Sequence, residues 1–282
     1  MTGNETLNRE GTPTRPGSRL VDRFIRVQQA FADLGGGAHG TGELAEAAGL
    51  DDSTTSRILQ SGVHQGVFER VGRKYRLGAT AAQLGLHALA HTPSKDETTH
   101  ETLEELREAT AGGLVFQYML APFAGAQRAC IDMAVGDSDL VELGMTARDI
   151  LSVTRSLRTG ASGRTILAYL PRPIQETVLA EPVPEEAGPG VYRDRDALLA
   201  SLADIRDCGY ALGYQECMPL WNSCAAPIAW GQAIMGAVLL LKPASAMPEA
   251  PPSAIQATQA AAAKISARLS HLSEPLSMMY GF

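Results

Sequence analysis

The sequence predicts an α+β protein in two parts, and three observations carry that prediction. Between Gly40 and Gly78, two short helical patterns run directly into two strand-like segments, the order of a winged helix-turn-helix. Beyond Gly112-Gly113, strand runs alternate with amphipathic helices, the pattern of a layered mixed domain rather than of a bundle. A chain of 282 residues that is 45% hydrophobic can bury two ordinary cores.

Taken in order, residues 1–17 are polar and interrupted by Pro13 and Pro16, so a disordered arm is expected there, with no secretory leader. Leu20, Phe24, Val27, Phe31 and Leu34 recur at helical spacing and predict a helix with one buried stripe. Gly35-Gly36-Gly37 ends it and lacks the Lys-Ser or Lys-Thr that a phosphate-binding loop requires. Leu44, Ala45 and Ala48 predict a short helix capped by Thr41 and stopped by Gly49. Asp51, Asp52 and Ser53 then offer oxygens to the free amides of a second helix. In that helix Ile58, Leu59 and Val63 form an inward stripe, and Thr54, Thr55, Ser56, Arg57 and Gln60 are expected on the other side.

Val67–Arg70 and Lys74–Leu77 read as a hairpin around Val71-Gly72-Arg73, a wing with a basic tip. Short hydrogen-bonding side chains with one Arg on the second helix suit base edges and phosphates of a major groove, while wing cations suit the backbone. The expected DNA-contacting set is therefore Ser53, Thr54, Thr55, Ser56, Arg57 and Gln60 from the helix, with Arg70, Arg73, Lys74 and Arg76 from the wing. This domain spans 18–78, and an Ala- and Leu-rich linker helix is expected over 79–95. Within the linker, His87 and His91 stand four apart but have no third ligand nearby, so no metal is expected, and no cofactor.

The second region, 96–272, opens with an amphipathic helix over Glu101–Thr110. Strands are expected over Leu114–Leu120, Gln127–Val135, Tyr210–Tyr214, Cys224–Trp230 and Ala233–Leu241. Helices are expected over Ser162–Leu170, Ile174–Ala180, Asp194–Cys208 and Ser253–Leu272, with a tail over 273–282. The net charge of −7 argues against nucleic acid for the chain as a whole, but residues 15–80 hold nine Lys/Arg against seven Asp/Glu, so the acidity belongs to the second region. Cys130, Cys208, Cys217 and Cys224 form no CxxC pair, and no apolar run reaches a membrane-spanning length, so free thiols and a cytoplasmic location are expected, with no membrane partner.

At Glu43–Leu50, Ser53–Leu59 and Tyr75-Arg76-Leu77-Gly78 the sequence resembles the IclR family of bacterial transcription regulators. Asp52 departs from that pattern, standing where the family often carries a basic or neutral residue. The resemblance extends to about 18–270: Leu157–Arg164 is similar to a loop before a helix, and Gly209-Tyr210 through Cys224–Ile228 to the family's GY….E…C.A.P pattern. It implies a GAF-like effector-binding domain with a small ligand between sheet and loops, and a homodimer or homotetramer that binds a palindromic double-stranded DNA operator, as a repressor. The ligand-binding set it implies is Met133, Gly160, Ala161, Ser162, Tyr214, Cys224, Leu239 and Leu241, with Ser162 and the loop amides anchoring the polar end.

Relatives that sense small organic acids tend to carry an Asp after the GY strand and serines on the last strand. Here Tyr214 and the run Val238–Leu241 take those places, which predicts an effector that is apolar or aromatic, or else leucines that fill the cavity. Gly160–Arg164 matches neither a nucleophile elbow nor a P-loop, so the chain is not expected to be an enzyme. An enzyme or a structural DNA binder fused to a winged-helix head remains the alternative.

Overall fold

The computed structural model describes residues 19–90, 95–121, 125–136, 140, 144, 146–151, 154–185 and 187–271. The expected arm over 1–17, the tail over 273–282, and His91 lie outside the described residues. The chain folds as two compact units, with the boundary between His87 and Ala88.

In the first unit, helix α1 (Arg19–Leu34) packs Val27, Ala30 and Phe31 against α2 (Thr41–Ala48) and α3 (Asp52–His64). Leu20, expected in the buried stripe, is 67% exposed. The core is closed by strands β1 (Phe68–Val71) and β2 (Lys74–Leu77), which contribute Phe68 and Tyr75; the rings of Phe31 and Phe68 stack at 5.1 Å. Gly62 of α3 lies so close to that stack that a Cβ there would sit 2.2 Å from the Phe68 ring. Gly40, not Thr41, precedes the first turn of α2, and the Glu43 carboxylate accepts from the Gly40 amide at 2.6 Å. Gly49 ends that helix in the left-handed region, as expected. Val71 pairs with Lys74, so the wing turn is the two residues Gly72-Arg73, one shorter than the sequence suggested. Helix α4 (Ala79–Ala90) follows with no buried residue.

The second unit is an antiparallel six-stranded sheet in the order β5-β4-β3-β8-β7-β6. Its strands are β3 (Leu114–Ala121), β4 (Gln127–Ala134), β5 (Thr154–Ser156), β6 (Ala211–Tyr214), β7 (Trp221–Trp230) and β8 (Ala233–Pro243). Helix α5 (Glu97–Ala109) starts earlier than expected because Asp96 caps it, accepting from the Thr99 amide at 2.8 Å.

Period-two alternation divides the sheet's side chains between two cores. Val115, Val238 and Leu240 pack with α5 and with α10 (Pro252–His271). Leu114, Phe116, Leu239 and Leu241 pack on the other side, with α6 (Ala147–Leu151), α7 (Gly160–Tyr169), α8 (Arg172–Ala180) and α9 (Arg195–Cys208). The fold class read from the sequence, α+β with a winged-helix head and a C-terminal α/β domain, is the one observed.

Candidate nucleic-acid interface and ligand cavity

Helix α3 is started by Asp51, whose carboxylate accepts from the Thr54 amide at 2.8 Å and from the Ser53 hydroxyl at 2.6 Å. These bonds, the Ser53 hydroxyl first, hold its carboxyl well below the usual range. Ser53, Arg57, Gln60, Ser61 and His64 are exposed along one side of the helix, with Ser56 half-buried between them. Thr54 and Thr55 are not part of that surface: they are 9% and 0% exposed. At 3.6 residues per turn they share the face of Ile58, Leu59 and Gly62, so helical phase overrides their polar chemistry. The same geometry turns Val63 out of the expected inward stripe, to 37% exposure.

Arg73 and Lys74 stand exposed at the wing tip. Arg70 braces the turn by donating to the Gly72 carbonyl at 3.0 Å. Arg76 is committed to Glu69 at 2.8 Å, an exposed pair that offsets its charge. The sequence-derived set thus resolves into an outward group of Ser53, Ser56, Arg57, Gln60, Arg73 and Lys74, two wing arginines with partners inside the hairpin, and two buried threonines.

In the second unit a cavity of ≈ 60 Å³ opens on the α6–α7 side of the sheet. Its apolar wall is Phe116, Ile150, Met218, Leu239 and Leu241; its polar wall is Tyr118, Arg128, Arg155 and Cys217. Arg128 reaches this face because β4 is bulged. Gln117 pairs with Asp132 but Tyr118 with Cys130, so Ile131 is an extra residue and the alternation flips there. Arg128 is 2% exposed. Its guanidinium lies 5.3 Å from the Tyr118 ring centre and donates Nη1 to the Ser156 carbonyl, while Nε has no partner among the described residues.

The first turn of α7 is glycine where it meets that group. A Cβ on Gly163 would lie 2.5 Å from Arg128 Nη1, and one on Gly160 would lie 2.3 Å from Cys217 Sγ. Burial pushes the Tyr118 hydroxyl up to about 12 and raises the Cys217 thiol, against the opposing pull of Arg128. The segment carrying Cys217 is pinned by a buried ion pair, Arg164 Nε to Glu216 Oε2 at 3.0 Å, with Arg164 also lying 4.7 Å from the Tyr192 ring centre.

Of the ligand-binding residues implied by the resemblance, Leu239 and Leu241 line the cavity, and Gly160 abuts Cys217 and Arg128 just behind its wall. Met133 packs against the same core without lining the cavity. Ala161 is buried against Gly213. Ser162 is 1% exposed with its hydroxyl unpartnered, and it is not on the cavity wall. Tyr214 is 45% exposed on edge strand β6. Cys224 pairs with Leu240 rather than with Leu239 or Leu241, so it belongs to the opposite side of the sheet, where burial pushes its thiol up to about 12. Arg128, Arg155, Tyr118, Phe116, Ile150, Cys217 and Met218, which also line the cavity, were not anticipated. The one signal for Arg128 was an arginine inside the strand run Gln127–Val135.

The chain thus joins a winged helix-turn-helix head to an α/β domain with a small cavity on one side of its sheet. Residues 151–267 match the family model described as "Bacterial transcriptional regulator IclR C-terminal". A Halobacterium salinarum protein named "Probable HTH-type transcriptional regulator ArcR" is 38% identical over 74 residues, which is 26% of this chain and 28% of that relative's length. Among solved structures, an IclR-type regulator of Silicibacter sp. TM1040 superposes with a TM-score of 0.54 at 24% identity, over 89% of this chain and 96% of that one. An IclR homolog of Microbacterium hydrocarbonoxydans, complexed with 4-hydroxybenzoate, has a TM-score of 0.53 at 21% identity, over 89% and 98%. The match to the IclR model lies in the C-terminal domain, and the solved regulators share the fold of the chain. Among the described residues no helix is long and apolar enough to cross a membrane.

Proposed function

We propose that this chain is a cytoplasmic, homo-oligomeric repressor that binds a palindromic double-stranded DNA operator and changes its affinity when a small molecule enters the C-terminal domain. The observation that carries the reading is the row of exposed Ser53, Arg57 and Gln60 with half-buried Ser56 on α3, in the same unit as a wing tipped by Arg73 and Lys74. Such a row can present hydrogen-bonding groups and one guanidinium to base edges, with the wing on phosphates. Self-association is supported by apolar surface in the first unit: Leu20 and Val21 on α1 and Leu84 and Leu86 on α4 are all more than half exposed. A second copy would cover them and bring a second half-site reader.

The effector would sit in the cavity walled by Phe116, Leu239 and Leu241, which suits an apolar or aromatic body. A protein of the same fold holds 4-hydroxybenzoate. Effector binding would act by linkage, stabilising one arrangement of the paired heads over another.

The test is fluorescence anisotropy of the full chain with a duplex selected from a random pool, at several salt concentrations. Sequence-preferring, salt-dependent binding by a dimer or tetramer is expected. Equal affinity for all duplexes would favour a structural DNA binder, and turnover of a bound small molecule would favour an enzyme.

A further inference from the structure

Helices α3 and α4 are separated along the chain by the whole wing, yet the end of one is bonded to the start of the other. The Thr80 hydroxyl donates to the Gln65 carbonyl at 3.0 Å, and the Thr80 amide donates to the Gly66 carbonyl at 3.0 Å. A third bond, from the Gly78 amide to the Val67 carbonyl at 2.7 Å, closes the base of the hairpin. Gln65 caps α3, where carbonyls lack partners within the helix, and Thr80 stands in the first turn of α4, where amides lack them. Each helix end therefore supplies what the other lacks, and the negative end of α3 meets the positive end of α4.

Glycine makes this approach possible. Gly66 has a φ of +70°, in the left-handed region, and a Cβ on buried Gly78 would lie 2.3 Å from the Gly66 carbonyl oxygen. Two of the three bonds use backbone groups alone, so the Thr80 hydroxyl is where the junction depends on a side chain. A two-stranded hairpin is marginally stable by itself and transmits rotation poorly. The bonds at Thr80 bypass it, so α3 follows α4 when α4 turns.

Resting on the reading that α3 meets DNA and that α4 meets a second copy, we propose that this junction is a bracket fixing the angle of α3 to α4, with Thr80 as its positioning residue. In a dimer joined through α4, that angle sets the separation of the two α3 helices and hence the half-site spacing the protein accepts. Thr80 acts on DNA only through α3: Arg57 selects the base, and Thr80 selects the distance between two copies of it.

Fluorescence anisotropy of the full chain tests this with a selected duplex, the same duplex with one base pair inserted or removed at its centre, and a duplex carrying one half-site. One base pair shifts a half-site by roughly 3.4 Å and turns it by about 34°. Wild type should bind both respaced duplexes about tenfold or more weakly than the selected one. Thr80→Val, which keeps the shape and loses the hydroxyl, should cut that penalty to about threefold or less while leaving half-site affinity unchanged, and Thr80→Ser should restore the penalty. Hydrogen exchange without DNA supplies a second readout: the amides of residues 78 and 80 should exchange about tenfold or more faster in Thr80→Val, with those inside α3 unaltered. Circular dichroism would establish that each variant is folded.

A folded Thr80→Val that keeps the full spacing penalty, a Thr80→Ser as relaxed as Thr80→Val, or a loss of half-site affinity equal to the loss on the selected duplex would each overturn the proposal. So would a wild type indifferent to spacing, which decides the matter even if Thr80→Val does not fold. If no duplex is preferred, the DNA-reading assignment of α3 fails instead, and exchange at residues 78 and 80 that is no faster in Thr80→Val would overturn the bracket independently.

Discussion

The two compact units hold their arginines in opposite ways. In the head, Arg57 and Arg73 project from a helix and a turn into solvent, where each charge is hydrated and available to a polyanion. In the C-terminal unit, Arg128 and Arg164 are buried at 2% exposure each, where a charge must be matched locally. An exposed arginine can wait for its partner at little cost, whereas a buried one needs partners built in: Glu216 for Arg164, the Ser156 carbonyl and the Tyr118 ring for Arg128.

The largest expected effect breaks the built-in pair. Glu216→Ala leaves Arg164 buried without its carboxylate and should destabilise the C-terminal unit by about 3–5 kcal/mol. The head's transition should stay unchanged when urea unfolding is followed by circular dichroism; equal loss in both units would contradict the separation drawn here. The complementary change in the head is Gly62→Ala, whose new Cβ would strike the Phe68 ring. It should cost about 1–3 kcal/mol of overpacking in that unit alone, as read by the same unfolding curves.

Binding measurements sharpen the comparison further. Arg57→Ala should weaken binding to a selected duplex by about 1–3 kcal/mol and relax sequence preference, while leaving the fold intact. Wild-type affinity at fixed salt would remove Arg57 from the reading set. Replacing both Arg73 and Lys74 by Ala should instead lower the salt slope by about 1–2, with little change in sequence preference.

The smallest effect concerns thiols. Burial pushes Cys130 and Cys224 up to about 12, so both stay protonated at pH 8 and should resist labelling in the native protein. Cys208 is exposed and should react. Rapid modification of Cys224 would show that the face under α10 opens.

Much of this architecture was legible in the sequence because it is written in local periodicity. The helix-turn-helix, the hairpin and most of the sheet strands follow from three-and-four or two-residue spacing and from glycine punctuation at Gly49 and Gly72. Thr54 and Thr55 were misplaced because their chemistry was weighed ahead of their angular position, four residues before Ile58 and Leu59. The cavity was only half legible. Leu239 and Leu241 share a face by strand periodicity, but Cys224 falls on the other side once the β7–β8 register is known, and register is a non-local property. Arg128 was hidden for a similar reason: the bulge at Ile131 reverses the alternation of β4, and no pattern along a single strand announces it.

The most direct test follows DNA binding and ligand binding in one titration. Anisotropy of a selected duplex would be followed with the full chain at fixed salt, with and without saturating 4-hydroxybenzoate, the ligand held by a protein of the same fold. If it binds, it should shift the Kd for DNA about fivefold or more, the lower range of allosteric coupling. An unchanged Kd with the ligand demonstrably bound would contradict the claim that the C-terminal cavity controls the reading head.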